Sequence, residues 1–361
     1  MRPFDELTRL GRLRRLHRLA HAALRRFGLS DAPFALARYA GNTLYRVHSG
    51  KRAHRSDAGG LFVPGQLLLR VHWPGYRDAA AIRLELEWLR SLRETSGLPV
   101  PEPVPARGGD LLVEVSHPGI PEPRYCSLLR WVRGRRLGEK AKVRHYAAQG
   151  RLMAGMHAHA QAWRLPRGST PRVYDGDGLF RVVPALCLPV DDVWPLLPKA
   201  YLGAFEEVAR RVRQAMADLG DGPDAFGLIH ADLGVDANLL FWRDRPRAID
   251  FDESGLGYWI YDLAVTLEHC REQRDYQLYR DALLGGYREI RTLPEEQLRH
   301  LDLFMAALDV HIGLWAGAVV GLNPGQKALR RRLDRCARLV ERYLETGTQE
   351  KRPPRGAPRR S

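Results

Sequence analysis

Apolar residues recur every three or four positions at the start of the chain: Leu7, Leu10, Leu13, Leu16, Leu19, Ala20, Ala23, Leu24 and Phe27. This spacing predicts an amphipathic helix over 6–27, with Gly28 as its stop. The period then shortens. Residues 34–40, 43–47 and 67–72 are runs rich in β-branched, leucine and aromatic residues, and they read as strands. Polar residues 49–60 separate the second strand from the third and read as a hairpin loop. A helical period returns over 78–93, where Asp78 is a candidate cap. Residues 98–105 alternate with proline and predict an extended connector, because proline lacks an N–H and restricts its predecessor. Strands are predicted again at 110–115 and 125–132. Five strands and one inserted helix make an α+β lobe that ends near residue 133.

Beyond 133 the pattern is mostly helical. Val143, Tyr146, Ala147, Leu152, Met153, Met156 and His157 mark a helix over 139–163, and 198–220 carries another. Residues 164–196 are irregular and rich in proline and glycine. A β-rich segment spans 226–252, followed by long helices at 260–290, 295–320 and 326–345. The expected organisation is an N-terminal helix (1–29), an α+β lobe (30–133), a helical lobe (134–345) and a basic, compositionally disordered tail (346–361).

Composition narrows the classes. No continuous apolar run reaches the roughly 18 residues of a membrane span, and the arginine-studded N-terminus lacks the apolar stretch of a secretory signal. Cys126, Cys187, Cys270 and Cys336 are far apart and form no CxxC pair, which argues against a thiolate zinc site and fits a reducing cytoplasm. The net charge of +15 sits largely at the ends: eight arginines in 1–30, and twelve lysines and arginines against four acids in 327–361. Basic solvated helices account for it, with an acidic partner for the termini as the second reading. No zinc finger, KH loop or RNP-type strand points to nucleic acid.

The chemistry-bearing segment is FGLIHADLGVDANLLFWRDRPRAIDFDESGLGYWIYDLA, residues 226–264. An apolar strand ends in His230 and Asp232, and Asn238 follows in a loop. LLFW and RAIDF read as the two strands of a hairpin, and the second ends in Asp250 and Asp252. An asparagine carbonyl and carboxylates are hard oxygen donors suited to magnesium. Asp232 can orient or deprotonate an incoming hydroxyl. A metal clamp with a carboxylate beside the nucleophile is what phosphoryl transfer requires.

HADLGVDAN and IDFD resemble the catalytic loop and metal motif of the aminoglycoside phosphotransferase and choline kinase superfamily, nearest to bacterial homoserine-kinase-like and stress-response kinases. The resemblance covers about residues 34–320. It implies a two-lobed protein-kinase-like fold with a five-stranded N-lobe and a larger helical C-lobe, using ATP and Mg2+ to phosphorylate a small-molecule or Ser/Thr-like hydroxyl. By this resemblance Asp232 is the catalytic base, His230 supports its loop, and Asn238 and Asp250 are metal ligands with Asp252 assisting. Asp262 braces the loop. Arg70 takes the place where many relatives carry lysine, Glu85 is its first candidate helix partner with Glu87 the second, and Trp131 and Arg133 lie in the segment whose backbone would meet adenine. Residues 172–180 resemble an acceptor-side stretch. The sequence departs from the family in one respect: five residues stand between Asp232 and Asn238 where four are usual. That leaves open a non-catalytic nucleotide-binding pseudokinase or a basic interaction scaffold.

Overall fold

The structure, a computed structural model, describes residues 2–50, 60–183, 188–189, 193–322 and 325–348. From residue 349 on, the basic tail lies outside the described residues, as does most of the polar loop 49–60. The chain divides into two compact units. Residues 1–136, 163–171 and 239–252 form one, and 137–162, 172–238 and 253–361 form the other. The first is built on a five-stranded sheet and the second is larger and mainly helical, which is the expected two-lobed α+β architecture.

In the first unit, helix α1 (Arg9–Arg26) begins at Thr8, whose hydroxyl accepts the Gly11 N–H. Strands β1 (Phe34–Ala40), β2 (Asn42–His48), β3 (Phe62–Val71), β4 (Leu112–Val115) and β5 (Arg124–Val132) pair antiparallel in the order β1-β2-β3-β5-β4. The apolar stripe of α1 (Leu16, Leu19, Ala20, Ala23 and Leu24) packs into one core with Tyr45, Val47, Leu67, Leu69 and Cys126 of the sheet. Each leucine so buried contributes about 2 kcal/mol. The amphipathic N-terminus therefore belongs to this core. Helix α2 (Ala79–Ser96) opens where Asp78 Oδ1 accepts the Ala81 N–H at 2.7 Å and closes at Gly97, in the left-handed conformation.

The late hairpin Leu239–Trp242/Arg245–Ala248 is part of this same unit. The Arg247 guanidinium is buried and caps three carbonyls, those of Gly60 (2.9 Å), Leu61 (2.7 Å) and Arg133 (2.9 Å). Arg135 and Phe241 exchange backbone hydrogen bonds, and at Gly134 a Cβ would stand 2.9 Å from Leu240 Cβ. Leu240 and Ile249 pack on Leu61, Phe62 and Val132.

In the second unit, α3 (Val143–Ala162) packs on α6 (Tyr276–Arg288), where Gly150 and Gly286 lie against facing backbone. Met153 and Met156 are core residues. A three-stranded sheet runs β6-β8-β7, with β6 (Arg172–Tyr174) parallel and β7 (Phe226–Ile229) antiparallel to the central β8 (Gly255–Tyr258). Helices α4 (Lys199–Leu219), α5 (Trp259–Glu268), α7 (Leu301–Leu322) and α8 (Lys327–Thr346) complete the unit.

The single helix expected over 260–290 is two, α5 and α6. The chain turns between them so that the Arg271 guanidinium bonds both oxygens of Asp309 on α7, a buried ion pair that helical periodicity does not reveal. Helix α7, with its short lead-in from Glu295, is long and apolar enough to cross a membrane by composition, yet 78% of its apolar 18-residue window is buried inside the protein.

Candidate active site

The second unit holds the candidate base. β7 ends at Ile229, and the chain turns sharply through Ala231, whose φ of +63° is a conformation that side chains other than glycine rarely adopt. Asp262, buried on the first turn of α5, enforces the turn. Its Oδ2 accepts the His230 N–H at 3.1 Å and its Oδ1 accepts the Ala231 N–H at 2.8 Å. His157 Nε2 also binds Oδ2, at 3.0 Å, while His157 Nδ1 lies 2.9 Å from the Tyr287 hydroxyl. Burial alone would raise the Asp262 carboxyl, but the bonds from His157 and His230 hold it below the ordinary aspartate value. Burial depresses His157, although Asp262 opposes this. The resemblance gave Asp262 as the brace of this loop, and its bonds to the His230 and Ala231 N–H groups fit that role.

His230 is fully buried, and its Nδ1 accepts the Asp232 N–H at 3.3 Å. Asn238 donates to Asp232 Oδ2 at 2.6 Å and to the Asp232 carbonyl at 3.0 Å. The long loop between them has its own anchors. The Leu233 carbonyl accepts from Gln149 and from Thr266, each at 2.8 Å. Asp236 Oδ1 lies 2.8 Å from His269 Nδ1 at the end of α5. A Cβ on Gly234 would stand 2.5 Å from the His269 ring, so only glycine lets the ring lie against the loop. The loop from Leu233 to Asp236 is thus anchored on Gln149, Thr266 and His269.

Beside this loop stands a group that sequence reasoning missed. Glu253 Oε2 accepts from Arg172 Nη1 and lies 3.2 Å from the Tyr174 hydroxyl, which donates to the Glu253 carbonyl at 2.7 Å. Burial pushes the Glu253 carboxyl up to about 7. Tyr174 stacks on Tyr261 at 5.5 Å. Burial raises the Tyr261 phenol, and so do Tyr174 and the carboxylates of Glu253, Asp262 and Asp232 around it.

The first unit holds a second cluster. Arg70 in β3 and Glu85 in α2 form a buried ion pair, and Arg70 Nη1 lies 3.8 Å from Asp250 Oδ1. Burial would lower the Arg70 pKa, but Glu85, Asp252 and Asp250 keep the guanidinium charged. Asp250 has a φ of +64°. Asp252 Oδ2 accepts from Asn42 at 3.0 Å, its carbonyl accepts from Arg77, and Phe251 lies edge-on to Trp88 at 5.5 Å. The sequence-derived set Arg70, Glu85, Asp250 and Asp252 is therefore one cluster. Trp131 and Arg133 stand apart from it: Arg46 lies over the Trp131 ring, and Arg133 lies over Trp242. Among the described residues, no group of three or more His, Cys, Asp and Glu side chains has the arrangement of a metal site.

The sequence profile of the phosphotransferase enzyme family matches residues 47–298. The chain belongs to that family. A protein of Deinococcus radiodurans without an assigned activity is 28% identical over 298 residues, covering 81% of this chain and 79% of the relative. The homoserine kinase of Sinorhizobium fredii is 30% identical over 211 residues, 57% of this phosphotransferase and 59% of that protein. Among solved structures, a microcompartment-associated aminopropanol kinase superposes with a TM-score of 0.73 at 26% identity, over 91% of this chain and 98% of its own. Amicoumacin kinase hAmiN shares the fold, with a TM-score of 0.70 at 17% identity over 89% and 90% of the two chains. This phosphotransferase is an enzyme of the kinase-like class acting on a hydroxyl acceptor.

Proposed function

We propose that the chain transfers the γ-phosphoryl group of ATP to the hydroxyl of a small-molecule acceptor. The observation that carries this reading is the Asp232 carboxylate, fixed by Asn238 and by a loop braced on Asp262. In the reaction the acceptor oxygen bonds to the γ-phosphorus, the bridging oxygen leaves with ADP, and the hydroxyl proton passes to Asp232. Holding the reacting oxygen in line is the larger part of the catalysis. Arg70, held charged by Glu85, supplies a fixed cation for ATP phosphates. The Trp131–Arg133 backbone is the proposed adenine contact.

Asn238 and Asp250, with Asp252 assisting, are the oxygen donors that would hold magnesium, and the donor chemistry fits that ion. The Asn238 amide nitrogen is committed to Asp232, and its carbonyl oxygen is the atom that would serve as ligand. When bound, the ion would neutralise charge on the phosphates. Three buried free cysteines fit a cytoplasmic setting. The basic termini are read as the contact for an acidic partner. The pseudokinase reading rests on the lengthened loop, and the Asp236–His269 anchor supports an ordered, working loop instead. The test is ADP release with MgATP and an acceptor panel, run beside Asp250→Asn. The reading expects acceptor-dependent turnover that this substitution abolishes, and normal turnover by a folded D250N protein would refute the ligand assignment.

A further inference from the structure

Helix α1 carries seven arginines and no acid. Three of them are engaged. Arg12 donates to the Leu7 carbonyl, Arg15 donates to the carbonyls of Gly119 and Arg2, and Arg9 lies over the Tyr39 ring at 5.7 Å. Arg14, Arg18, Arg25 and Arg26 are exposed, and their guanidinium groups have no hydrogen-bond or ion-pair partner among the described residues. Arg14 and Arg18 stand one turn apart, a like-charge spacing that weakens a helix. Elsewhere the chain neutralises such neighbours: on α4, Arg210 and Arg211 both bind Glu207. Between Glu6 and His48 the sequence has nine arginines and a single acid, Asp31. The cation row of α1 thus has almost no counter-charge in its own stretch of chain.

The row lies beside an open sheet edge. β1 is the outermost strand of its sheet and pairs with β2 alone. Alternate N–H and C=O groups along β1 point away from β2, and among the described residues nothing bonds them. Ala35, Leu36, Ala37 and Arg38 are exposed in succession, Leu36 at 42%, so neither face of the strand is covered there. Arg38 also has no partner among the described residues. His17 stacks on Phe34 at 4.4 Å, and with Arg9 over Tyr39 this sets α1 alongside the strand. Arg14 to Arg25 spans about 16 Å of helix, the length of about five residues of extended chain.

We propose that the β1 edge is the docking site of an acidic, extended segment of a partner protein. The segment adds to the five-stranded sheet as a further strand, its backbone bonding β1 and its carboxylates meeting Arg14, Arg18, Arg25 and Arg38. The site lies ahead of residue 47, where the match to the family profile begins. It rests on the acidic-partner reading above and gives that partner a definite seat, and the kinase reading does not enter it. Charge complementarity selects the occupant. A second copy of the chain would bring Arg38 and the α1 arginines against their like, and a charged edge residue is a device that keeps edges from pairing with themselves. A bilayer finds no apolar helix face, because the stripe of α1 is already buried in the core. A nucleic acid would meet the arginines and leave the strand edge unused.

The experiment titrates the full chain with a blocked octapeptide that alternates glutamate and valine, read by calorimetry and by amide hydrogen exchange. Run beside it are the same peptide with alternate backbone nitrogens methylated, a lysine–valine peptide, a short duplex DNA and vesicles of phosphatidylglycerol. The acidic peptide is expected to saturate the protein below about 1 mM and to slow exchange of the outward amides of β1. Methylation deletes strand hydrogen bonds and keeps the charge, and should weaken binding about 10-fold. The lysine peptide should not bind. Arg14→Glu combined with Arg18→Glu should weaken the acidic peptide by about tenfold or more with melting temperature near wild type. Arg38→Glu, expected to act in the same direction, serves should that pair fail to fold.

Equal binding of the methylated and parent peptides would overturn strand addition and leave a contact of charge alone. Tighter binding of the DNA or the vesicles than of the acidic peptide would assign the arginines to that class and overturn the proposal. So would a concentration-dependent dimer that the peptide disperses, which would give the edge to a second copy. No saturable binding of the acidic peptide would overturn the acidic-partner reading as well, whatever the turnover with MgATP.

Discussion

His157 Nε2 lies 3.0 Å from Asp262 Oδ2, and both side chains are fully buried. The aspartate spends its remaining capacity on the backbone of the candidate catalytic turn. Its partner is held neutral by burial, so the imidazole donates from Nε2 and accepts the Tyr287 hydroxyl at Nδ1.

This depressed histidine makes folding acid-sensitive. Below the ordinary value of 6.5 the unfolded chain takes up a proton that the folded chain refuses. The contribution is complete above that pH and is lost as pH falls through the folded value. Asp262, also depressed, acts with the same sign at lower pH. His157→Gln keeps one donor and one acceptor and removes the titration. Its melting temperature should lie below wild type at pH 7.5 and fall less steeply toward pH 5.5. Parallel slopes would remove His157 as the source.

Asp232→Asn tests the base. Asparagine can still accept the Asn238 amide, so the loop should remain folded. Turnover should drop by about 10²- to 10⁴-fold, while ATP affinity and melting temperature stay near wild type. If all three decline together, Asp232 is a structural residue.

Arg70→Met leaves Glu85 charged, buried and unpaired. Chemical denaturation should show a loss of about 3–5 kcal/mol. Arg70→Lys should recover part of that stability and give a raised KM for ATP, because a point charge cannot reach Glu85 and a phosphate with the planar fork of arginine. Full recovery of both by lysine would make the fork irrelevant.

The lengthened loop supplies the fourth test. His269→Ala removes the anchor of Asp236 and opens space beside Gly234. The expected result is a fall in kcat of about tenfold, since a small displacement of a reacting group is costly in rate, with KM for ATP within twofold. An unchanged kcat would show that the Leu233 clamp alone fixes the loop.

Much of this site is local in the sequence and was readable there. His230, Asp232 and Asn238 lie within nine residues, and Asp250 and Asp252 end a short hairpin, so spacing alone suggested their chemistry. The Arg70–Glu85 pair also spans only fifteen residues, and the family resemblance pointed to it. The partners that hold these groups are distant. His157 is 105 residues from Asp262, and Arg172 is 81 from Glu253. Arg247 reads in the sequence as an ordinary strand arginine, yet it caps three carbonyls from distant segments. The break between α5 and α6 was hidden for the same reason: Arg271 meets Asp309 only when α7 is in place.

The stitching of Leu239–Asp252 into the sheet unit bears on how the chain is made. During synthesis the five strands emerge by about residue 132. The carbonyls of Gly60 and Arg133 then wait for Arg247, more than a hundred residues later, and Leu61, already bonded by the Arg133 N–H, gains a second donor. Folding of the first unit cannot finish as a vectorial, N-terminal-first event. Its last piece arrives only after much of the second unit has been translated, so a nascent chain stalled before residue 247 carries a sheet that is assembled but unlatched.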